Sequence, residues 1–317
     1  MPDHALQQVI AIPRNGYINR LQAWASASIL GKALGVPTRL LWEFEPAAPA
    51  SADELFGSEF LNAIRISREE VDALLGCDHE DLPRYLTALP ERHAVVLAGH
   101  DRGEQVFMSQ LQDALAKDST VRSLVIIAGG QFHEQNIHAF DQLRREFYQS
   151  VQWNTALESR VRAALDGRGA FLAVHVRQTD RSLTAPTTRS MRHALSRLQG
   201  QTQLTSVFIA ADTPDARDAW QGIVRDLGLK PWSLNEQGHD RSSTKGGVDA
   251  MVDWRILSAA QGLVYSADSS FGHEAATMIG KNKPTIGLRA SSGQQRARNL
   301  LRLAHSAVTY PRRHLWR

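Results

Sequence analysis

Residues 171–180 read Phe-Leu-Ala-Val-His-Val-Arg-Gln-Thr-Asp, FLAVHVRQTD. From Phe171 to Val176 the run is apolar apart from His175. It is too short for a helix and lacks the alternation of a half-exposed strand, so it reads as a strand buried on both faces, as in a parallel sheet covered by helices. Arg177, Thr179, Asp180 and Arg181 follow at once, at the end that faces the ligand crevice in open α/β sheets. A guanidinium placed there can grip a diphosphate through two parallel charge-assisted hydrogen bonds, and it stays protonated at any working pH. Arg177 is therefore the leading candidate. The competing reading pairs Arg177 with Asp180 as a strand cap, and His175 alone reads at least as well as a packed core histidine.

Outward from this strand the alternation of short apolar runs with amphipathic stretches is regular, which defines the class as α/β. Downstream come a helix over 188–198, strand 206–211, helix 215–227, strand 230–234, helix 248–260, strand 263–265, helix 271–279 and strand 285–288. Upstream, strand 7–12, a turn 13–17, helix 18–34 and strand 38–44 form one βαβ unit. Residues 45–92 open on a Pro/Ala/Ser stretch and lack clear strands, and strands resume at 93–98 and 122–128 with a helix over 103–117 between them. The amphipathic stretch 140–165 contains no strand and reads as a bridge. The expected organisation is two Rossmann-like domains facing across a cleft: residues 1–150, residues 151–293, and a last helix and tail over 294–317 that returns to the first domain.

Composition agrees with an ordinary globular chain. The 317 residues allow two domains, and 43% hydrophobic with 22% charged residues excludes collagen-like and coiled-coil architectures. Thirty-six basic against thirty-three acidic residues leave a net charge of +3, too mild for bulk nucleic-acid binding. The single cysteine, Cys77, can form no internal disulfide and suits a reducing compartment. The opening residues show no signal peptide and no run approaches a membrane span, so a cytoplasmic location without a transmembrane segment is expected.

A second informative stretch is 262–280, GLVYSADSSFGHEAATMIG. A strand ends at Asp268, Ser269 and Ser270 and feeds directly into a helix opened by Phe271. Free backbone N–H groups and two hydroxyls would then lie where a phosphate could sit. Plain N-capping by Ser or Asp is the alternative.

His175-Val-Arg177-Gln-Thr179-Asp180 resembles the H-x-R-R-T-D motif of the fucosyltransferase superfamily that contains the core α1,6-fucosyltransferases, the NodZ enzymes and the protein O-fucosyltransferases. The run from Asp253 to Val264, with Ser269 and Ser270 beyond it, is similar to that family's third motif. Gly16-Tyr-Ile-Asn19-Arg20 resembles its glycine-rich first loop, ahead of an Ala-rich helix. The resemblance implies a GT-B fold, with a nucleotide sugar, GDP-fucose above all, on the C-terminal domain and a hydroxyl acceptor on the N-terminal one. It places Arg177 on the diphosphate as the catalytic group, His175 and Asp253 on the guanosine, and Ser269 or Ser270 with Phe271 at the phosphates. Asn19 and Arg20 would approach the donor from the other domain. No cofactor and no metal are expected, since the sequence contains no D-x-D.

Two departures stand out. The motif's second arginine is Gln178 here, with Arg181 the nearest replacement. The segment Arg181 to Pro186 carries no carboxylate where the core α1,6-fucosyltransferases place a base. Asp180, Glu43 and Glu45 remain candidates, each equally readable as a surface acid. His133 and His138 are five apart, which turns them to different helix faces and argues against a zinc pair. The acidic loop Asp78, Glu80 and Asp81 reads as solvated. The acceptor is a saccharide, a secondary metabolite or a peptide, and the residues do not distinguish these.

Overall fold

The computed structural model describes residues 6–82, 85–99, 113–118, 120–132, 139–177, 186–234, 240 and 242–289. The chain divides into two compact units, Met1–Ala164 with Asp240–Val252, and Leu165–His239 with Asp253–Arg317. This division differs from the expected break at 150/151, and the reason is local. Phe56 and Trp153 form an antiparallel bridge, Asn154 donates from its N–H to the Leu55 carbonyl at 2.8 Å, and Arg160 pairs with Asp249 at 2.5 Å. Residues 151–164 are thereby held to the first unit. The expected helix and tail from 294, and the histidines 133 and 138, lie outside the described residues.

Unit 1 is built on a five-stranded sheet of order β2-β1-β5-β4-β3. Its strands are β1 (Gln8–Pro13), β2 (Thr38–Leu40), β3 (Tyr85–Leu89), β4 (Ala94–Gly99) and β5 (Ser123–Ala128). All pairings are parallel except β3 with β4. Strand β3 falls in the stretch expected to lack strands. It returns through a one-turn 3-10 segment, Pro90–Arg92, and His93 at φ 50°, so its antiparallel pairing belongs to a tight hairpin and not to a βαβ crossover. The expected strand 38–44 stops at Leu40, and three short helices follow: α2 (Ala52–Leu55), α3 (Ser58–Ile64) and α4 (Arg68–Leu75).

The long helix α1 (Tyr17–Leu34) is Ala-rich and buried along most of its length, which suits a helix that must lie flat on a sheet. It stops at Gly35, whose φ of 74° a side chain would disfavour and whose N–H closes on the Gly31 and Lys32 carbonyls. Trp24, fully buried, meets Phe56 edge-on at 5.3 Å and Phe147 at 5.0 Å. Phe147 comes from α5 (Phe140–Ser150), which α6 (Thr155–Leu165) follows.

Unit 2 holds a second five-stranded sheet, all parallel, of order β10-β9-β6-β7-β8. The strands are β6 (Leu172–Val176), β7 (Ser206–Ala211), β8 (Lys230–Trp232), β9 (Gly262–Ser266) and β10 (Thr285–Leu288). Helices α7 (Thr188–Thr202), α8 (Pro214–Asp226) and α10 (Ser270–Ile279) alternate with them, and α9 (Thr244–Ala259) passes from unit 1 into unit 2 after Val252, all close to the bounds read from the sequence. Leu172, Val174 and Val176 pack with Leu195, Leu198 and Trp220 on one face. Among the described residues no helix is long and apolar enough to cross a membrane.

Gly31 marks the closest approach of α1 to the sheet: a Cβ there would strike the Thr38 side chain and stand 3.0 Å from the Val36 carbonyl and 3.6 Å from Val9. The Gly31→Val variant is expected to lose about 1–3 kcal/mol of stability. A denaturant midpoint equal to that of the parent chain would refute this.

Candidate functional site

Strand β6 is the first strand of its sheet and lies in the middle of it. The chain proceeds from β6 to β7 and β8 on one side, then to β9 and β10 on the other, so the order reverses between β6 and β9. The carboxyl ends of these two strands flank the topological switch point, where open α/β sheets bind their ligands. His175 lies in register with Tyr265 across that pair. Half-buried Arg177 follows the last residue of β6, and Asp268, Ser269 and Ser270 follow β9. The residues that the sequence singled out in two distant stretches are thus brought to one end of one sheet.

Helix α10 enters this corner without a conventional cap. Its N-cap residue Ser269 has extended backbone, φ −98° and ψ 117°, and its side chain makes no capping bond. Ser269 is 1% exposed, and its Oγ is buried with no hydrogen-bond partner among the described residues. An unsatisfied buried hydroxyl costs about 1–3 kcal/mol, so it marks a place where a ligand acceptor or donor fits. Beside it the first N–H groups of a ten-residue helix are available to an anion.

Gly272, which the sequence reading did not single out, sets how closely the helix meets the strands. A Cβ on it would stand 2.6 Å from Tyr265 Cβ and 3.0 Å from His175 Nδ1. Phe271 stacks on the His175 ring, with centroids 5.0 Å apart and planes at 24°. His175 is 6% exposed and so serves as packing for the helix start, in keeping with the core-histidine alternative. Asp253 is buried within α9. Gln178, Thr179, Asp180 and Arg181 lie outside the described residues, and with them the pairing of Arg177 with Asp180.

The carboxyl edge of the unit 1 sheet carries a dense ionic network. Arg14, directly after β1, pairs with Glu43 at 2.8 Å, bonds the exposed Glu80, and stands 3.1 Å from His79 Nε2. His79, whose side chain is fully buried, reaches Asp72 from Nδ1 at 2.7 Å and Glu43 from Nε2 at 3.0 Å. Arg68 bonds Glu43 at 3.1 Å and Asp78 at 2.7 Å. Asp78 and Glu80 are accordingly members of a paired network, where the sequence suggested solvated acids. Glu43, His79 and Glu80, and likewise Asp72, Asp78 and His79, are close enough to ligate one ion, but arginines already occupy these positions as the cations. Burial opposes the charge on His79, yet hydrogen bonds to Glu43 and Asp72 outweigh it and raise its pKa above the usual 6.5. Burial likewise opposes the Glu43 carboxylate, but the His79 hydrogen bond and the nearby Arg14 and Arg68 charges hold its pKa below 4.5.

Asn19 and Arg20 sit in the first turns of α1. Asn19 is half-buried. Arg20 is 0% exposed, donating from Nε to the Pro13 carbonyl at 3.1 Å and from a terminal nitrogen to the Glu43 carbonyl at 2.6 Å, with its guanidinium 3.9 Å from the Trp42 ring centre. Burial lowers its pKa to about 10, so it stays charged. The guanidinium is enclosed in unit 1, where it holds together the chain after β1 and the chain after β2.

Two Rossmann-like sheets, one all parallel and one parallel except at its edge hairpin, each with polar and charged side chains gathered at its carboxyl edge, define a GT-B type of architecture. Among solved structures, the chain is similar to POFUT1 in complex with GDP-fucose, with a TM-score of 0.55 and 11% identity over 90% of this chain and 99% of that one. It is similar to the NodZ α-1,6-fucosyltransferase co-crystallized with GDP, with a TM-score of 0.53 and 15% identity over 85% of this chain and 91% of that one. The fucosyltransferase NodZ from Bradyrhizobium gives a TM-score of 0.53 at 15% identity, over 85% and 92% of the two chains. No protein-family model matches the sequence, and no curated protein matches it. The fold is that of the GT-B fucosyltransferases.

Two outcomes follow from this geometry. The Gly272→Ala variant should lift the start of α10 off β6 and β9 and lower the melting temperature, and an unchanged melting temperature would separate Gly272 from that packing. His79, with a raised pKa in the folded state, contributes stability that is fully present below pH 6.5 and is lost as pH rises through the folded value. Glu43 acts oppositely, its contribution fading as pH falls below 4.5. Melting temperature should therefore fall on the alkaline side in the parent chain and lose that alkaline slope in His79→Gln.

Proposed function

We propose that the chain is an inverting, metal-independent glycosyltransferase that transfers fucose from GDP-fucose to an acceptor hydroxyl. The observation that carries the reading is the orphaned Ser269 hydroxyl at the open N-terminus of α10, beside the strand end that bears Arg177. The GDP-fucose complex of POFUT1 and the GDP complex of NodZ support the same donor.

In this reading the departing GDP accumulates negative charge on its β-phosphate as the bond to the sugar breaks. Arg177 and the first N–H groups of α10 stabilise that charge, with the Ser269 and Ser270 hydroxyls sharing the task. Helix dipole and guanidinium act before any solvent can reorganise, which is what makes fixed donors effective. Asp253 and His175 serve the nucleoside side, His175 by carrying Phe271 and the helix start. The acceptor is a saccharide, a secondary metabolite or a peptide, and the one half-buried cysteine agrees with a cytoplasmic setting.

Thermal shift against GDP, GDP-fucose and UDP tests the donor. A ligand at one hundred times its Kd adds about 2.7 kcal/mol. GDP and GDP-fucose should stabilise the protein, UDP should not, and a chelator should leave the donor-dependent rate unchanged. Arg177→Ala should lose about 2–4 kcal/mol of transition-state stabilisation in GDP release. Equal response to GDP and UDP, or an unimpaired Arg177→Ala, would overturn the assignment.

A further inference from the structure

The geometry points to His273 as a further catalytic residue, one that meets the departing β-phosphate of GDP from one turn inside α10. The inference rests on the fucosyl-transfer reading above and uses residues of unit 2 alone. His273 lies four residues after the N-cap Ser269, and its N–H donates to the Ser269 carbonyl at 3.0 Å. Residues four apart share a helix face, and helical side chains lean toward the N-terminus. The His273 imidazole therefore leans back over the turn that begins at Ser269, whose buried hydroxyl has no partner among the described residues.

The partners of the imidazole suit that task. Its Nδ1 lies 3.0 Å from Glu274 Oε1, and the Glu274 side chain is fully buried while that of His273 is 42% exposed. A carboxylate only accepts hydrogen bonds, so Nδ1 carries a hydrogen, and the buried acid fixes both tautomer and ring orientation. Nε2 makes no hydrogen bond among the described residues and is the atom left for a ligand. His175, by contrast, is enclosed beneath Phe271.

The role follows from stereochemistry. In an inverting displacement the acceptor approaches the anomeric carbon opposite the phosphate, so a side chain on the helix that holds the phosphate stands on the leaving-group side and is not the base. As the bond from the anomeric carbon to the phosphate oxygen breaks, its electron pair stays with GDP. His273, carrying a hydrogen on each nitrogen, donates from Nε2 to the β-phosphate and stabilises that charge without giving up a proton. With a hydrogen on Nδ1 alone, Nε2 is an acceptor and cannot bond the phosphate, so GDP binding takes up a proton here. Besides Glu274, the titratable groups that the neighbouring elements bring to this end of the sheet are His175 and Arg177 from β6, Tyr265 and Asp268 from β9, and Arg289 after β10.

GDP bears on its β-phosphate the charge that departure creates, so its binding to the whole chain tests the contact without an acceptor. Calorimetry from pH 6 to pH 8.5 should show His273→Ala binding GDP about tenfold or more weakly than the parent at pH 6, the size expected of a hydrogen bond between charged groups. His273→Gln, which still bonds Glu274 but carries no charge, should share with His273→Ala a flatter pH profile than the parent. The ionisation of GDP itself acts on all three proteins alike. GMP, which lacks the β-phosphate, should bind parent and variants equally. A His273→Ala affinity for GDP within threefold of the parent at pH 6, profiles parallel to the parent, or an equal loss for GMP overturns the inference while leaving the donor assignment intact. A parent chain that GDP does not stabilise in thermal shift sinks the fucosyl-transfer reading, and the inference with it.

Discussion

The close approach of one helix to two strand ends governs the packing at the carboxyl end of the unit 2 sheet. With no Cβ at Gly272, the start of helix 270–279 lies against Tyr265 and His175, and Phe271 lies flat on the imidazole. Glycine in a helix costs about 1 kcal/mol relative to alanine, so the position is kept for contact and not for helix stability. The consequence reaches the residue before the helix. Ser269 is drawn into the interior with its hydroxyl unbonded, where an ordinary N-cap serine would satisfy itself on the second or third N–H of the helix. A local cost and an anion-ready terminus are two aspects of one packing decision.

Unit 1 manages charge in the opposite way. Its carboxyl edge holds Glu43, Glu45, Asp72, Asp78 and Glu80 against Arg14, Arg68 and His79, and the first four of these acids stand 2.7–3.6 Å from a cationic or imidazole partner. Breaking one partner of such a network strands the other, so the network fixes the strand ends more firmly than it adds net stability. Arg20 completes the frame from the interior, joining the Pro13 and Glu43 carbonyls. The unit thereby presents a rigid edge.

The sheets are legible in the sequence because burial on both faces leaves an open mark: apolar runs such as 171–176 and 206–211 end within a residue of the observed strands. The gathering of Arg177 with Asp268, Ser269 and Ser270 at one end of the sheet is legible for the same reason, since strand ends in a parallel sheet fall on one side whatever their separation in the chain. Three features are not. Strand β3 is short, pairs antiparallel and turns back through a proline-led segment, so no βαβ spacing announces it. Gly272 is invisible because its importance is a distance to Tyr265 in the preceding strand, and not a property of glycine. The anchoring bonds of Arg20 are hidden because Pro13, Glu43 and Ala48 offer carbonyls that only the folded chain assembles.

Glu43 and Glu45 show how fine that last distinction is. They are two residues apart and flank Phe44, which is 74% exposed, so the chain turns both acids inward and the ring outward. In the sequence they are two equivalent carboxylates after a strand. Folding separates them through what each meets: Glu43 comes within reach of helix α4 and His79, while Glu45 meets a backbone N–H presented by a left-handed asparagine. Glu43 is paired with two arginines and an imidazole, whereas Glu45 has one backbone hydrogen bond and a longer contact to Arg14 at 3.6 Å. Position two residues further along thus gives a carboxylate a different set of partners, and the difference is made entirely by other parts of the chain.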